Sequence, residues 1–108
     1  MNCTCSPYDN LRPFKRSNID SISEVYFGVY GFWYKKRCLY IGKAEKQPIK
    51  KRLMQHWNGC HNDKLQMWIF AKSSELRITF KNIKDINKIH KYERFYIEKY
   101  QPITNKTK

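Results

Sequence analysis

The chain has 108 residues, 41% hydrophobic and 16% aromatic, with 22 Lys and Arg against 9 Asp and Glu for a formal net charge of +13. A chain of this size fits one small domain with one core, which leaves little room for a second functional module. Such an excess of one sign repels itself unless a polyanion is the normal partner, and aromatic residues beside Lys or Arg in "FWYKKR" and "KYERFYIEKY" favour nucleic acid over a membrane surface.

No apolar run approaches the ~18 residues of a bilayer span. The first twenty residues lack the apolar stretch of a secretory signal, so a cytoplasmic protein with reduced thiols is expected. Cys3 and Cys5 are one residue apart while Cys38 and Cys60 stand alone, which gives neither a C-x-x-C zinc ribbon nor a disulfide framework. A metal site from Cys3, Cys5, Cys60 and His61 would suffer from the same poor spacing.

Residues 1–23 carry Pro7 and Pro13 without a sustained period and read as an N-terminal arm, extended with at most a short turn near "SNIDSIS". Residues 24–108 form the domain proper, including a basic C-terminal tail. Val25 to Trp33 and Cys38 to Lys43 are aromatic and β-branched and flank a Lys/Arg turn, which predicts an antiparallel hairpin. Gly28, Gly31 and Gly42 lie within it, where glycine marks a bulge or a close approach to the backbone. In "QPIKKRLMQHWNG", Pro48 suits the first helical turn, Gly59 the position after the last, and Ile49, Leu53 and Trp57 form an apolar stripe.

A second helix is expected over about Asp63 to Lys72, capped by Asn62 and apolar at Leu65, Trp68 and Ile69. "LRITF" alternates as a strand with Leu76, Ile78 and Phe80 on one face. Asp85 caps a longer helix to about Tyr100, where Pro102 prevents continuation. The expected class is α+β, a three-stranded antiparallel sheet flanked by helices in the order β-β-α-α-β-α.

Several polar residues sit oddly in this pattern. The apolar stripe of the last helix reads Ile86, Ile89, Ile97 and Tyr100, and Glu93 falls within it between Ile89 and Ile97, a position that suits an ion pair with arginine, a rim location or a bound metal. Arg52 and His56 are four apart and share a helix face, as solvated residues or as a phosphate fork beside a proton acceptor. Tyr30 and Tyr40 are either cross-strand packing residues or a functional pair. A three-residue turn at Tyr34, Lys35 and Lys36 would set them directly opposite; a two-residue turn would put them on different faces.

"GVY" at 28–30, "YIG" at 40–42, the R-x-x-x-H of Arg52 and His56, Glu93 on a late helix and Asn105 in "QPITN" together resemble the GIY-YIG nuclease superfamily over about residues 25–105. The first tripeptide has valine for isoleucine, and "ITN" replaces the leucine that often precedes the asparagine. The resemblance implies a DNA endonuclease hydrolysing phosphodiester bonds with one divalent cation per site, Mg²⁺ or Mn²⁺. It implies that Tyr30 activates the water, Tyr40 holds water or phosphate, and His56 takes the proton of Tyr30. Arg52 would stabilise phosphate charge, Glu93 would be the sole protein ligand of the metal, and Asn105 would position the C-terminal segment.

Lys43, directly after the YIG, would contact phosphate and, with Arg52 and the metal, lower the pKa of Tyr30. Lys35, Lys36, Arg37, Lys50 and Lys51 are the further nucleic-acid-binding candidates. The partner is expected to be double-stranded DNA, with specificity left to phosphate contacts, a homodimer or a separate recognition partner. The competing reading is a basic DNA- or RNA-binding module with a degenerate nuclease fold, which binds without cutting.

Overall fold

The computed structural model describes residues 11–59 and 63–105. The expected Asn62 cap, the cluster of Cys3, Cys5, Cys60 and His61, and the last residues of the basic tail lie outside the described residues. At the centre of the fold, β2 (Gly28–Tyr34) and β3 (Arg37–Ala44) form the expected antiparallel hairpin. Its turn has two residues, Lys35 and Lys36, with Lys35 in the left-handed region at φ 56°.

A two-residue turn alone would set Tyr30 and Tyr40 on opposite faces. The register shifts between Phe32 and Trp33, however, so that Trp33 faces Cys38 while Phe32 faces Tyr40, and Leu39 is the extra residue of a β-bulge. One added residue restores the parity. Tyr30 therefore lies opposite Gly42, Tyr40 opposite Phe32, and the two phenols share a face as diagonal neighbours.

On the other side of β2 runs β4 (Leu76–Asn82), with Tyr30 opposite Phe80. Beyond it, β1 (Arg12–Pro13) pairs antiparallel with Arg77 and Ile78 of β4. The sheet therefore has four strands in the order β1-β4-β2-β3, not the expected three. The fourth is two residues long and contains a proline, which is tolerated at an edge and leaves no alternation to detect. The supposed extended arm also contains α1 (Arg16–Asp20), and Phe14, Ile19 and Ile22 of this segment are buried in the core.

Helices cover both faces. Tyr30, Phe32, Leu39, Leu76 and Ile78 pack with Ile49 and Leu53 of α2 (Ile49–Asn58) and with Leu65 and Ile69 of α3 (Asp63–Lys72). Burying each such leucine or isoleucine stabilises the fold by about 1.5–3 kcal/mol. Val29, Trp33, Cys38 and Ile41 on the opposite face pack with Ile89 and Tyr96 of α4 (Ile89–Tyr100). The architecture is α+β, as expected, with an antiparallel sheet between helices. Among the described residues no helix is long and apolar enough to cross a membrane.

Two helix faces differ from their predicted stripes. On α2 the buried set is Ile49, Leu53 and His56, whereas Trp57 is 39% exposed and meets Phe14 edge to face. A 3.6-residue period drifts away from strict four-residue spacing, so the third buried position falls one residue earlier. Asp85 accepts the Asn87 N–H at 3.0 Å, but it caps a 3₁₀ turn over Ile86–Lys88, and the α-helix begins only at Ile89. Ile86 is consequently exposed.

Candidate active site

Tyr30 is fully buried, and its hydroxyl lies 2.8 Å from Nε2 of His56, itself only 7% exposed. The helical period turns His56 inward from α2, and the strand period brings Tyr30 up from the middle of β2. Tyr40 completes the cluster, with ring centroids 6.2 Å from Tyr30 and 5.5 Å from His56. Gly42 makes the cluster possible. A Cβ at that position would come within 2.6 Å of the Tyr30 hydroxyl oxygen and 2.8 Å of the Tyr40 ring.

Arg52 acts on the same phenol through charge and a side-chain hydrogen bond. One of its terminal nitrogens donates to Gln55 Oε1 at 3.1 Å, and Gln55 in turn donates to Gln47 at 2.9 Å. Sequence reasoning missed this brace, although Gln55 stands three residues after Arg52 on one helix face. Arg52 Nε is buried and has no hydrogen-bond partner among the described residues.

Burial dominates the electrostatics of Tyr30 and drives its pKa well above the ordinary phenol value, and a negative charge on Tyr40 would push it further. Arg52 opposes both and is outweighed. The expected help from Lys43 has a geometric obstacle. Lys43 stands opposite Val29, whose side chain belongs to the other face of the sheet.

That other face holds Glu93. Its side chain is 17% exposed, with Oε1 3.7 Å from His90 Nδ1, and Lys43 Nζ lies 3.2 Å from the same nitrogen and 3.1 Å from Glu45. Burial raises the Glu93 pKa, the positive charges of Lys43, His90 and Arg94 lower it, and the neighbouring Glu45 raises it. The structure thus gathers Tyr30, Tyr40, Arg52 and His56 on one face, and Glu93 with Lys43 on the other. Glu45 and His90 were not anticipated, although Glu45 shares strand parity with Lys43 and His90 stands three residues before Glu93.

The faces can communicate at the free side of β3, which is the edge strand. Asn105 closes part of that edge. Its Oδ1 accepts the Ile41 N–H and its Nδ2 donates to the Ile41 carbonyl, both at 2.9 Å. Alternation along an antiparallel strand then directs the backbone of Lys43 outward as well, with Gly42 between them.

A divalent cation is the group such a fold implies, and the residues fit one. A shielded carboxylate repelled by a neighbouring carboxylate is relieved by a hard cation. A Mg²⁺-type ion needs only one or two carboxylates, with water filling its other positions.

Of the remaining candidates, Lys35, Lys36 and Arg37 are exposed at the hairpin turn and Lys51 is exposed on α2. Lys50 is occupied differently, with its ammonium 3.7 Å from Glu24.

The chain belongs to the GIY-YIG catalytic domain family, whose model matches residues 20–108. It is a GIY-YIG endonuclease domain, a phosphodiester-hydrolase class. A similar solved structure is the GIY-YIG N-terminal endonuclease domain of UvrC from Thermotoga maritima, bound to its catalytic divalent cation, magnesium. It is 28% identical with a TM-score of 0.67, over 84% of this chain and 94% of that one. Two variants of the same domain bound to its catalytic divalent cation, a tyrosine-to-phenylalanine and an asparagine-to-alanine mutant, match at TM-scores of 0.67 and 0.63. They are 27% and 26% identical, each over 85% of this chain and 94% of that one. No curated protein matches.

Proposed function

We propose that this chain cleaves phosphodiester bonds in DNA by hydrolysis, with Tyr30 taking up the proton of the attacking water and His56 receiving the proton of Tyr30. The observation that carries the reading is the 2.8 Å contact between the Tyr30 hydroxyl and His56 in a buried cluster beside Arg52. A phenol pushed up by burial is a poor base alone. Bonded to a neutral imidazole, it can accept one proton while passing on its own, and no free phenolate has to form. Tyr40 holds the water or the scissile phosphate.

Arg52 supplies the charge complement. Its buried Nε, without a partner among the described residues, costs about 1–3 kcal/mol unless met, and a phosphate oxygen would meet it. The phosphate would lie across the β3 edge at Gly42, within reach of both faces, with Lys43 contacting it. Glu93 would hold the one divalent cation, Mg²⁺ or Mn²⁺, which when bound neutralises charge on phosphate oxygens. Asn105 fixes the edge.

Lys35, Lys36, Arg37, Lys50 and Lys51 contact the phosphates of DNA, with Lys50 leaving Glu24 to do so. Residues 24–108 constitute the nuclease domain, to which the end of the preceding arm adds β1, α1 and the core side chains of Phe14, Ile19 and Ile22. Target choice rests on phosphate contacts or on a second chain, and the setting is cytoplasmic.

The test incubates supercoiled plasmid with the protein at low salt, with Mg²⁺ or with chelator, beside Glu93→Gln. Nicking should require the metal and disappear in the variant. A gel shift without any cutting under these conditions would overturn the assignment in favour of a DNA-binding module.

A further inference from the structure

At the far end of the hairpin, Tyr34, Lys35, Lys36, Arg37 and Trp68 line a groove of about 510 Å³. Trp68 also borders a second groove, of about 380 Å³, to which α3 contributes Lys64 and Lys72. Among the described residues the two linings bring five cations around one indole and no carboxylate. Such a wall is matched to a polyanion that also offers a flat apolar surface.

The ring geometry says which aromatic would be used. Tyr34 and Trp68 stand 5.2 Å apart at 47°, splayed and not stacked. Lys35 and Lys72 already sit over Tyr34, 5.3 and 5.9 Å from its centroid. They anchor the phenol, and Trp68 is the ring left to receive a planar ligand. In a duplex each base face is covered by its neighbours, so only an unpaired nucleotide can stack on a protein ring.

We propose that this groove binds an unpaired nucleotide of DNA, with its base against Trp68 and its phosphate on Lys36 and Arg37. Tyr34 and Tyr30 belong to one face of β2, four residues and so about 13 Å apart. The groove therefore lies a few nucleotides at most from the scissile phosphate. Resting on the nuclease reading, this assigns a substrate class: DNA with a single-stranded segment flanking the cut.

Binding is measured by fluorescence anisotropy in chelator, on a single-stranded oligonucleotide, a blunt duplex of the same sequence, a duplex with a single-stranded flap, and the RNA version of the single strand. Single-stranded and flapped DNA should bind more tightly than blunt duplex. Trp68→Ala should weaken both about fivefold or more while changing duplex binding less than about twofold, and Trp68→Phe should fall between. Trp68 also packs against the core, so the exposed pair Lys36→Ala with Arg37→Ala serves as a second variant, expected to lower single-strand affinity with unfolding temperature unchanged.

No preference for unpaired DNA, an equal Trp68→Ala loss on every DNA, or tighter binding to the RNA strand would overturn the proposal. Because nothing is cut in chelator, a protein that never nicks plasmid but keeps a Trp68-dependent preference would refute the nuclease and support the groove.

Discussion

Gly42 is the residue on which the tyrosine cluster depends. An added Cβ would meet the hydroxyl and Cζ of Tyr30 and the ring of Tyr40 at 2.6 to 2.8 Å, and Tyr30 is too buried to swing aside. Gly42→Ala should destabilise the protein by about 1–3 kcal/mol, as overpacking does, and reduce nicking well beyond what partial unfolding explains. Chemical denaturation and plasmid nicking on one preparation separate the two effects. Tyr30→Phe offers the contrast: the ring stays, the hydroxyl's hydrogen bonds with His56 and Arg52 are lost at about 1 kcal/mol each, and nicking should stop.

Glu93 gives a pH prediction whose sign runs against ordinary carboxylates. Its folded-state pKa lies above the unfolded value, so its contribution to stability is fully present below the unfolded pKa and is lost as pH rises through the folded one. In chelator, stability should therefore decline over that window in the wild type and less in Glu93→Gln. The variant should be the more stable protein at neutral pH. Added Mg²⁺ should raise the wild-type unfolding temperature with the logarithm of its concentration and leave the variant little changed, as scanning calorimetry would detect.

At the scale of elements, the edge of β3 matters most. Ile103 and Thr104 donate backbone N–H groups to Cys38 and Leu39, Thr104 adds its hydroxyl, and Asn105 satisfies both backbone groups of Ile41. The segment after α4 behaves as an irregular extra strand that keeps the edge from pairing elsewhere. Asn105→Ala removes two bonds to partly buried groups and should destabilise by about 1–3 kcal/mol. Amide exchange at Ile41 should accelerate most. Asn105→Asp keeps the acceptor for the Ile41 N–H and should restore protection there without restoring full stability.

Charge is the property of the whole molecule. A net +13 on 108 residues sets the background against which every specific contact is read. Plasmid binding in chelator should weaken about a thousandfold or more between 50 and 200 mM salt if six or more phosphates are contacted. A logarithmic plot against salt should be linear. Lys51→Ala should lower its slope by about one, and Lys50→Ala by less if the ammonium stays with Glu24.

Periodicity and turn chemistry in the sequence determined the hairpin, both middle helices, β4 and the last helix, because each has enough residues to display its period. They also placed Glu93 on an apolar stripe and Arg52 beside His56. The two-residue strand at Arg12 and the helix at Arg16 were too short to announce themselves, since their stability comes from Phe14, Ile19 and Ile22 in a core built elsewhere. The tertiary structure alone decided that Tyr30 and Tyr40 share a face. A local bulge at Leu39, and not turn length, sets that parity, because it lets the consecutive residues Leu39 and Tyr40 pack on the same side of the sheet while Cys38 and Ile41 pack on the other. Likewise only the fold separates Glu93 from the tyrosines by the thickness of one sheet, because which face a helix covers is fixed by long-range contacts.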